Sequence, residues 1–369
     1  MRGGLIVGAG IFVGNVTGFF RVAVTAYLLG THARADALAV SMGPLDSLNS
    51  VMINTMLFAF VPMLMLRRDG ERMALFARGG RIFATVLVIS SALTALFAGP
   101  LASLLGPGLA APQHAEAALL IRCLAPATAF AGGSAIFSAL LYTERRFLAP
   151  VLYQSILNAM TIAGAVCLWK DAGVVGFALG YTAGAAVNLL LVWASSRDLQ
   201  TRQRADIEIP AREVLAAPGM FLLYAVFISL NIVVTRAYAT HGGPGMAAAL
   251  EYAMRGLNVG VAYLVFPIAH SLLPEIGRLR GVGDTARAYR LIDRSVALMA
   301  VASVLSCAVA VLFRAPIIAI MFQRGSFNAE STELVSSVFL GFAPSLVGWT
   351  MMDLMSRCLF ALDRPKLPT

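Results

Sequence analysis

The chain has 369 residues, of which 59% are hydrophobic and only 13% charged, with a mean hydropathy of +0.80. That is more apolar surface than a soluble core of this length needs, so the composition excludes an ordinary soluble enzyme and predicts an all-α polytopic membrane protein. The net charge of +9 would suit a nucleic-acid partner, but its cations sit in short loops between alternate apolar runs. That pattern orients membrane helices, and no nucleic acid is expected as a partner.

Runs of roughly 20 mostly apolar residues, each long enough to cross a bilayer, recur along the chain. In order they are 4–29, 36–66, 82–105, 116–142, 148–169, 173–195, 214–239, 247–275, 289–313 and 332–361, about ten predicted spans. The first follows Arg2 but is too long for a signal peptide and leads straight into the second, so it reads as a retained helix. Arg67, Arg68, Arg72, Arg78 and Arg81 follow the second span, Arg145 and Arg146 the fourth, and Arg197, Arg202, Arg204 and Arg212 the sixth. Arg278, Arg280, Arg287 and Arg290 follow the eighth, and Arg364 and Lys366 the tenth, whereas the opposite loops hold only Arg34, Lys170, Arg314 and Arg324. Both termini are therefore predicted to be cytoplasmic.

No catalytic constellation accompanies these spans. Cys123, Cys167, Cys307 and Cys358 lie inside apolar runs without metal-binding or disulfide spacing, and His32, His114, His241 and His270 stand singly. No phosphate-cradling glycine loop is present, so neither a cofactor nor a metal is expected, and any transport would draw on a gradient or on downhill flow unless a separate subunit hydrolyses nucleotide. Gly10, Gly14 and Gly18, and then Gly176, Gly180 and Gly184, recur every fourth residue; close helix packing is the simpler reading of such stripes and a hinge the alternative. Pro44, Pro62, Pro126, Pro267 and Pro274 are expected to kink their helices.

The chain also repeats itself. TERRFLAP (Thr143 to Pro150) and ALDRPKLP (Ala361 to Pro368) close the fourth and tenth spans, with Arg146 and Arg364, and Pro150 and Pro368, each 218 residues apart. Pro62 and Pro274 stand 212 apart at the ends of the second and eighth spans. An offset of six spans is even, so the two copies would share one orientation. Two lobes are predicted, 1–205 and 206–369, joined by the polar stretch from Ser195 to Glu213. By that logic the second lobe lacks partners for the fifth and sixth spans, and the chain is expected to be a fragment or a reduced lobe.

Short motifs in order along the chain carry a resemblance. They are GFFR (Gly18 to Arg21), AYLLG (Ala26 to Gly30), ADAL (Ala35 to Leu38), AFVPML (Ala59 to Leu64), RCLAP (Arg122 to Pro126), LNIVVTR (Leu230 to Arg236), YAMRGL (Tyr252 to Leu257), LLPEIGR (Leu272 to Arg278), FQRGSF (Phe322 to Phe327) and the LFALDRPKLP exit. In this order the chain resembles the MurJ/MviN lipid II flippases of the multidrug/oligosaccharidyl-lipid/polysaccharide exporter superfamily. The resemblance implies a transporter rather than an enzyme, one that moves a lipid-linked peptidoglycan precursor from the cytoplasmic to the outer leaflet by alternating access, in cell-wall biogenesis. It also implies the bacterial inner membrane, membrane lipids as surroundings and cell-envelope synthesis proteins as partners. Another polyprenyl-linked saccharide, such as an O-antigen or exopolysaccharide unit, and a non-transporting paralogue are the alternatives. A drug or small-cation exporter fits less well, because its cavity would need acids where these spans offer mostly arginines.

The substrate implied bears a diphosphate, and an arginine inside a span is costly unless it faces a hydrated cavity or an anion. Guanidinium stays charged and donates in a fork, which suits a diphosphate. Arg21, Arg122, Arg236 and Arg255 meet that description. Arg21 and Arg255 match family positions that face the central cavity and are linked with substrate; Arg122 and Arg236 lie nearer the span ends, where snorkelling to the interface competes with a cavity role. Asp36 is expected either to pair with Arg21 or to cap a helix start. The chain departs from the family at Gly14-Asn15, Leu48-Asn49, Thr235 and Met254, where cavity charges of both signs are replaced.

Overall fold

The computed structural model describes residues 2–201, 205–207, 209–216, 219–258, 276, 279 and 284–361. Every regular element among them is helical, as an apolar surround requires: a backbone N–H or C=O in hydrocarbon finds its partner only within its own helix. In order these are α1 (Arg2–Leu29), α2 (Ala33–Thr55), a π-helical turn (Met56–Phe60), α3 (Val61–Met65), α4 (Asp69–Leu96), α5 (Ala98–Leu105) and α6 (Ala111–Thr143). There follow α7 (Leu148–Val151), α8 (Tyr153–Cys167), α9 (Trp169–Ala172), α10 (Val175–Ser195), α11 (Arg197–Gln200), α12 (Ala211–Ala216) and α13 (Gly219–Thr240). The last are α14, described over 246–258, then α15 (Thr285–Leu312), α16 (Arg314–Phe322), α17 (Ala329–Phe342) and α18 (Ser345–Ala361). The LLPEIGR motif, apart from Ile276, and the exit that carries Arg364 and Pro368 lie outside the described residues.

Five described helices are each long and apolar enough to cross a bilayer: Ile6–Leu29, Asp69–Leu96, Ala111–Thr143, Val175–Ser195 and Ala286–Leu312. Ala329–Phe342 and Ser345–Met355, bent by 48° at their break, make a sixth if taken as one span. Of the other predicted spans, the second and fifth are interrupted, and the seventh and eighth lie partly outside the described residues. Span two is split into α2, the π-turn and α3, with Arg34, Asp36 and Asp46 inside α2, and α8 alone has 15 residues.

Local chemistry explains these breaks. Pro62 cannot donate a backbone hydrogen bond, and just before it the Val61 N–H reaches back to the Met56 carbonyl, the wider five-residue step of a π-turn. After α4 the chain breaks at Phe97, whose N–H still bonds the Leu93 carbonyl, and resumes as α5. The same break recurs after α15, where the Phe313 N–H bonds the Val309 carbonyl before α16 begins. Pro100 and Pro316 follow at one spacing. The α6 helix ends at Glu144, with Arg145 in the left-handed region at φ 56°.

The chain packs as two units, Met1–Thr25 with Thr31–Ala248 and Ala26–Gly30 with Ala249–Thr369. This division concerns packing, whereas the boundary expected near residue 205 rests on the sequence alone. In the first unit α6 is the buried centre, in contact with α2, α4, α5 and α10, while α8 lies on α10 and α13 on α2. Its core joins Phe60, Leu75, Phe83, Leu140, Val192 and Val214. Glycine permits the closest contact: a methyl group on Gly180 would meet the Met160 carbonyl oxygen at 2.5 Å, so α8 and α10 touch backbone to backbone. Where the helices emerge, Arg67 pairs with Glu213, Arg72 with Glu144 at 3.0 Å, and Arg146 with Asp198 at 2.6 Å.

In the second unit α15 packs on α18 and α16 on α17, with Ile292, Met299 and Leu354 among the buried residues. The FQRGSF motif forms the turn between α16 and α17. Gly325 takes a φ of 62°, and Phe322 and Phe327 stack with Tyr252 at ring separations of 5.6 to 5.9 Å. The turn is fastened where the Ser326 N–H donates to the Tyr27 carbonyl at 2.8 Å and Tyr252 Oη donates to the Gly30 carbonyl at 2.9 Å.

Candidate functional site

The polar interior of the first unit is built on α1, α2, α8, α10 and α13. Arg21 is half-buried on α1, and its Nε is shut away from solvent without a hydrogen-bond partner among the described residues. Arg236, on α13, is only 9% exposed and donates from Nη2 to Asp46 Oδ2 at 2.8 Å. Gly43, one turn before Asp46, leaves the space that guanidinium fills: a methyl group there would stand 3.2 Å from Arg236 Nη1. Tyr153 and Tyr181 face one another across α8 and α10, with Asp46 in the field of both and Arg21 in that of Tyr181. The structure therefore brings Arg21, Asp46, Tyr153, Tyr181 and Arg236 into one neighbourhood.

Its net charge is positive, with two guanidiniums against one carboxylate. Such a group in a low-dielectric surround is poised for an anion, because each further negative oxygen finds a donor already in place. A second layer orients α1 against α8. Asn158 Nδ2 donates to the Gly14 carbonyl at 3.2 Å and to Thr17 Oγ1 at 3.3 Å. Among the described residues no cluster of three or more His, Cys, Asp or Glu could hold a metal.

The remaining sequence-predicted residues fall elsewhere. Asp36 is 2% exposed, and both its oxygens are taken: Oδ2 accepts from Gly245 N–H at 2.5 Å and Oδ1 from Ala248 N–H at 2.9 Å. It caps the start of α14, where backbone N–H groups lack partners within their own helix. The cap alternative is thus the one seen, though on a helix distant in sequence and not on its own; the pairing with Arg21 is not made, because the carboxylate is already committed. Arg122 is exposed on α6. Arg255 belongs to the second unit, half-buried on α14. Sequence reasoning missed Asp46, Tyr153 and Tyr181. An acid inside an apolar run was a legible signal for Asp46, since such a charge needs a partner; for the tyrosines no comparable signal exists.

These helices and buried charges define a polytopic helical membrane protein of transporter type. Residues 25–369 match the family model described as lipid II flippase MurJ, and the chain belongs to that family, one of flippases and not of enzymes. It is similar to a probable lipid II flippase MurJ from Rhizobium meliloti (strain 1021), 25% identical over 99% of this chain and 70% of the relative. It is likewise similar to one from Vibrio cholerae, 22% identical over 100% of this chain and 74% of the relative. Its fold matches a solved lipid II flippase MurJ in an inward closed conformation, with a TM-score of 0.87 and 19% identity over 99% of this chain and 77% of that one. A multidrug resistance MATE family transporter of the MOP superfamily in an inward-facing conformation matches with a TM-score of 0.74 and 14% identity over 95% and 82%. The chain is a multi-pass protein of the bacterial inner membrane.

Proposed function

We propose that this chain moves lipid II, a lipid-linked peptidoglycan precursor, from the cytoplasmic to the outer leaflet by alternating access, with its N-terminus in the cytoplasm. The observation that carries the reading is a pair of guanidiniums inside the first unit, Arg236 bonded to Asp46 and Arg21 near Tyr181 with its Nε buried and unpaired among the described residues. A diphosphate is a matching anion, and the arginines are its donors. Arg255 is the corresponding donor of the second unit, Arg122 an exposed cation on the substrate's path, and Asp36 a residue that shapes the site through its cap. Other members of this fold have been captured inward-facing and outward-facing, which supports a cycle between two openings. The break at Phe97 and Phe313 supports two repeated lobes, 1–205 and 206–369, and about ten spans in all.

Complementation of a strain depleted of its own flippase tests the proposal. The chain, expressed with the remainder of its reading frame where one exists, is expected to restore growth and outer-leaflet lipid II. Arg21→Ala and Arg255→Ala are each expected to abolish rescue while the protein still reaches the membrane. Rescue that survives both substitutions would overturn the site, and failure of the unsubstituted chain at normal membrane levels would overturn the function.

A further inference from the structure

The first unit contains a cavity beside the polar neighbourhood, with Tyr153 common to both. It measures about 120 Å³ and is walled by Met56, Leu57, Val61, Ala131, Ala135 and Pro150. Among the described residues no charged side chain lines it, so a diphosphate placed there would lose its hydration with no counter-charge in return. The volume also excludes a saccharide. A dry cavity of about 150 Å³ holds a molecule the size of benzene, so this one takes a short stretch of hydrocarbon.

The cavity's polar groups are the hydroxyls of Ser134, Ser138, Tyr142 and Tyr153 and the amide of Asn188. Asn188 lines the cavity from α10 with 0% of its surface exposed, and neither Nδ2 nor Oδ1 has a hydrogen-bond partner among the described residues. A buried amide left so is destabilising by the full cost of its desolvation, which a ligand carrying a carbonyl would relieve. The π-turn supplies Met56 and Leu57 to the lining, and π-turns are frequent where a helix is shaped around a ligand. Ile53 and Leu57, at 39% and 43% exposed, mark an apolar rim. Tyr142 and Pro150 line the cavity, and the Arg145 N–H donates to the Tyr142 carbonyl at 3.1 Å. Arg145 is exposed and makes no ion pair with a described residue.

Hydrocarbon, a neutral carbonyl and a cation beyond the rim together describe one ligand. We infer that the first unit seats a membrane phospholipid, with part of one ester-linked acyl chain in the cavity, its carbonyl accepting from Asn188 Nδ2, and its phosphate at the level of Arg145. The inference does not depend on what the protein transports.

Photolabelling of the purified full chain in detergent tests it, with three diazirine probes: an ester-linked phosphatidylethanolamine, its ether-linked counterpart and a polyprenyl monophosphate. The ester probe is expected to label the peptides containing 56–61 and 131–139, about fivefold more than the ether probe, the difference one hydrogen bond makes. Asn188→Leu is expected to remove that difference, and Ala135→Phe to lower labelling by both phospholipid probes. Should Ala135→Phe fail to fold by size exclusion, Leu57→Trp at the exposed rim serves in its place. Equal labelling by ester and ether probes in the unsubstituted chain would overturn the carbonyl contact. Labelling of these peptides by the polyprenyl probe alone, or of other peptides only, would overturn the phospholipid site.

Discussion

Two ion pairs of the first unit use the same chemistry in opposite surroundings. At the rim, Arg146 grips Asp198 with both prongs, at 2.8 and 2.6 Å, but the side chains are 46% and 56% exposed. In the interior, Arg236 reaches Asp46 through one nitrogen at 2.8 Å, with its own side chain only 11% exposed. Geometry alone ranks the rim pair first. Desolvation reverses the order, because breaking the inner pair strands a buried guanidinium while breaking the outer one releases two side chains to water.

Each prediction presses on that contrast. The largest effect is expected at Asp36, where Asp36→Ala leaves two buried N–H groups of α14 without an acceptor. A loss of about 3 kcal/mol is expected in detergent unfolding, with Asp36→Asn about half as severe. Asp46→Ala comes next, at about 2 kcal/mol, reduced from the fully buried case because Asp46 is partly open. Adding Arg236→Met to it is expected to restore most of the loss, since no charge is then stranded; a double variant weaker than either single one would show that the pair is not the unit of stability. Glu144→Ala, at the half-buried Arg72 pair, is expected to cost about 0.5 kcal/mol and to lose that difference in high salt.

Arg146→Ala is the smallest, with no measurable change in Tm at neutral pH. The pair is nonetheless visible in titration. Arg146 holds the Asp198 carboxyl below its ordinary 3.8, chiefly by hydrogen bonding. A carboxyl lowered in the folded state contributes above its unfolded value and loses that contribution as pH falls through the folded one. The NMR titration of Asp198 is therefore expected to move up in Arg146→Ala; an unmoved titration would mean that the contact is not populated in solution.

The family motifs were legible, but their roles were only partly so. FQRGSF reads as a polar break, and the structure makes it a turn pinned to Tyr252, about seventy positions before it, and to Tyr27, about three hundred before it. The glycine stripe at 176, 180 and 184 reads as a close-packing face and is one, because α8 meets α10 there along the backbone. Arg236 reads as near a span end and free to snorkel. It turns inward because Asp46, on the neighbouring α2 but far away in sequence, supplies its counter-charge. Asp36 was read with its local alternatives in view, yet its partners at Gly245 and Ala248 have no signature in the residues around it.

What the sequence determined by itself is the class: apolar runs of membrane length call for helices, whose backbone groups are satisfied within the segment, while alternating basic loops supply an expected orientation. Those are one-dimensional constraints, set by composition along the chain. Which arginine is buried against which acid, which carboxylate is consumed by a cap, and where a cavity stays open beside an amide were decided only by tertiary structure. Each depends on distances between helices, and electrostatic and packing energies in an apolar interior change steeply over a few ångströms.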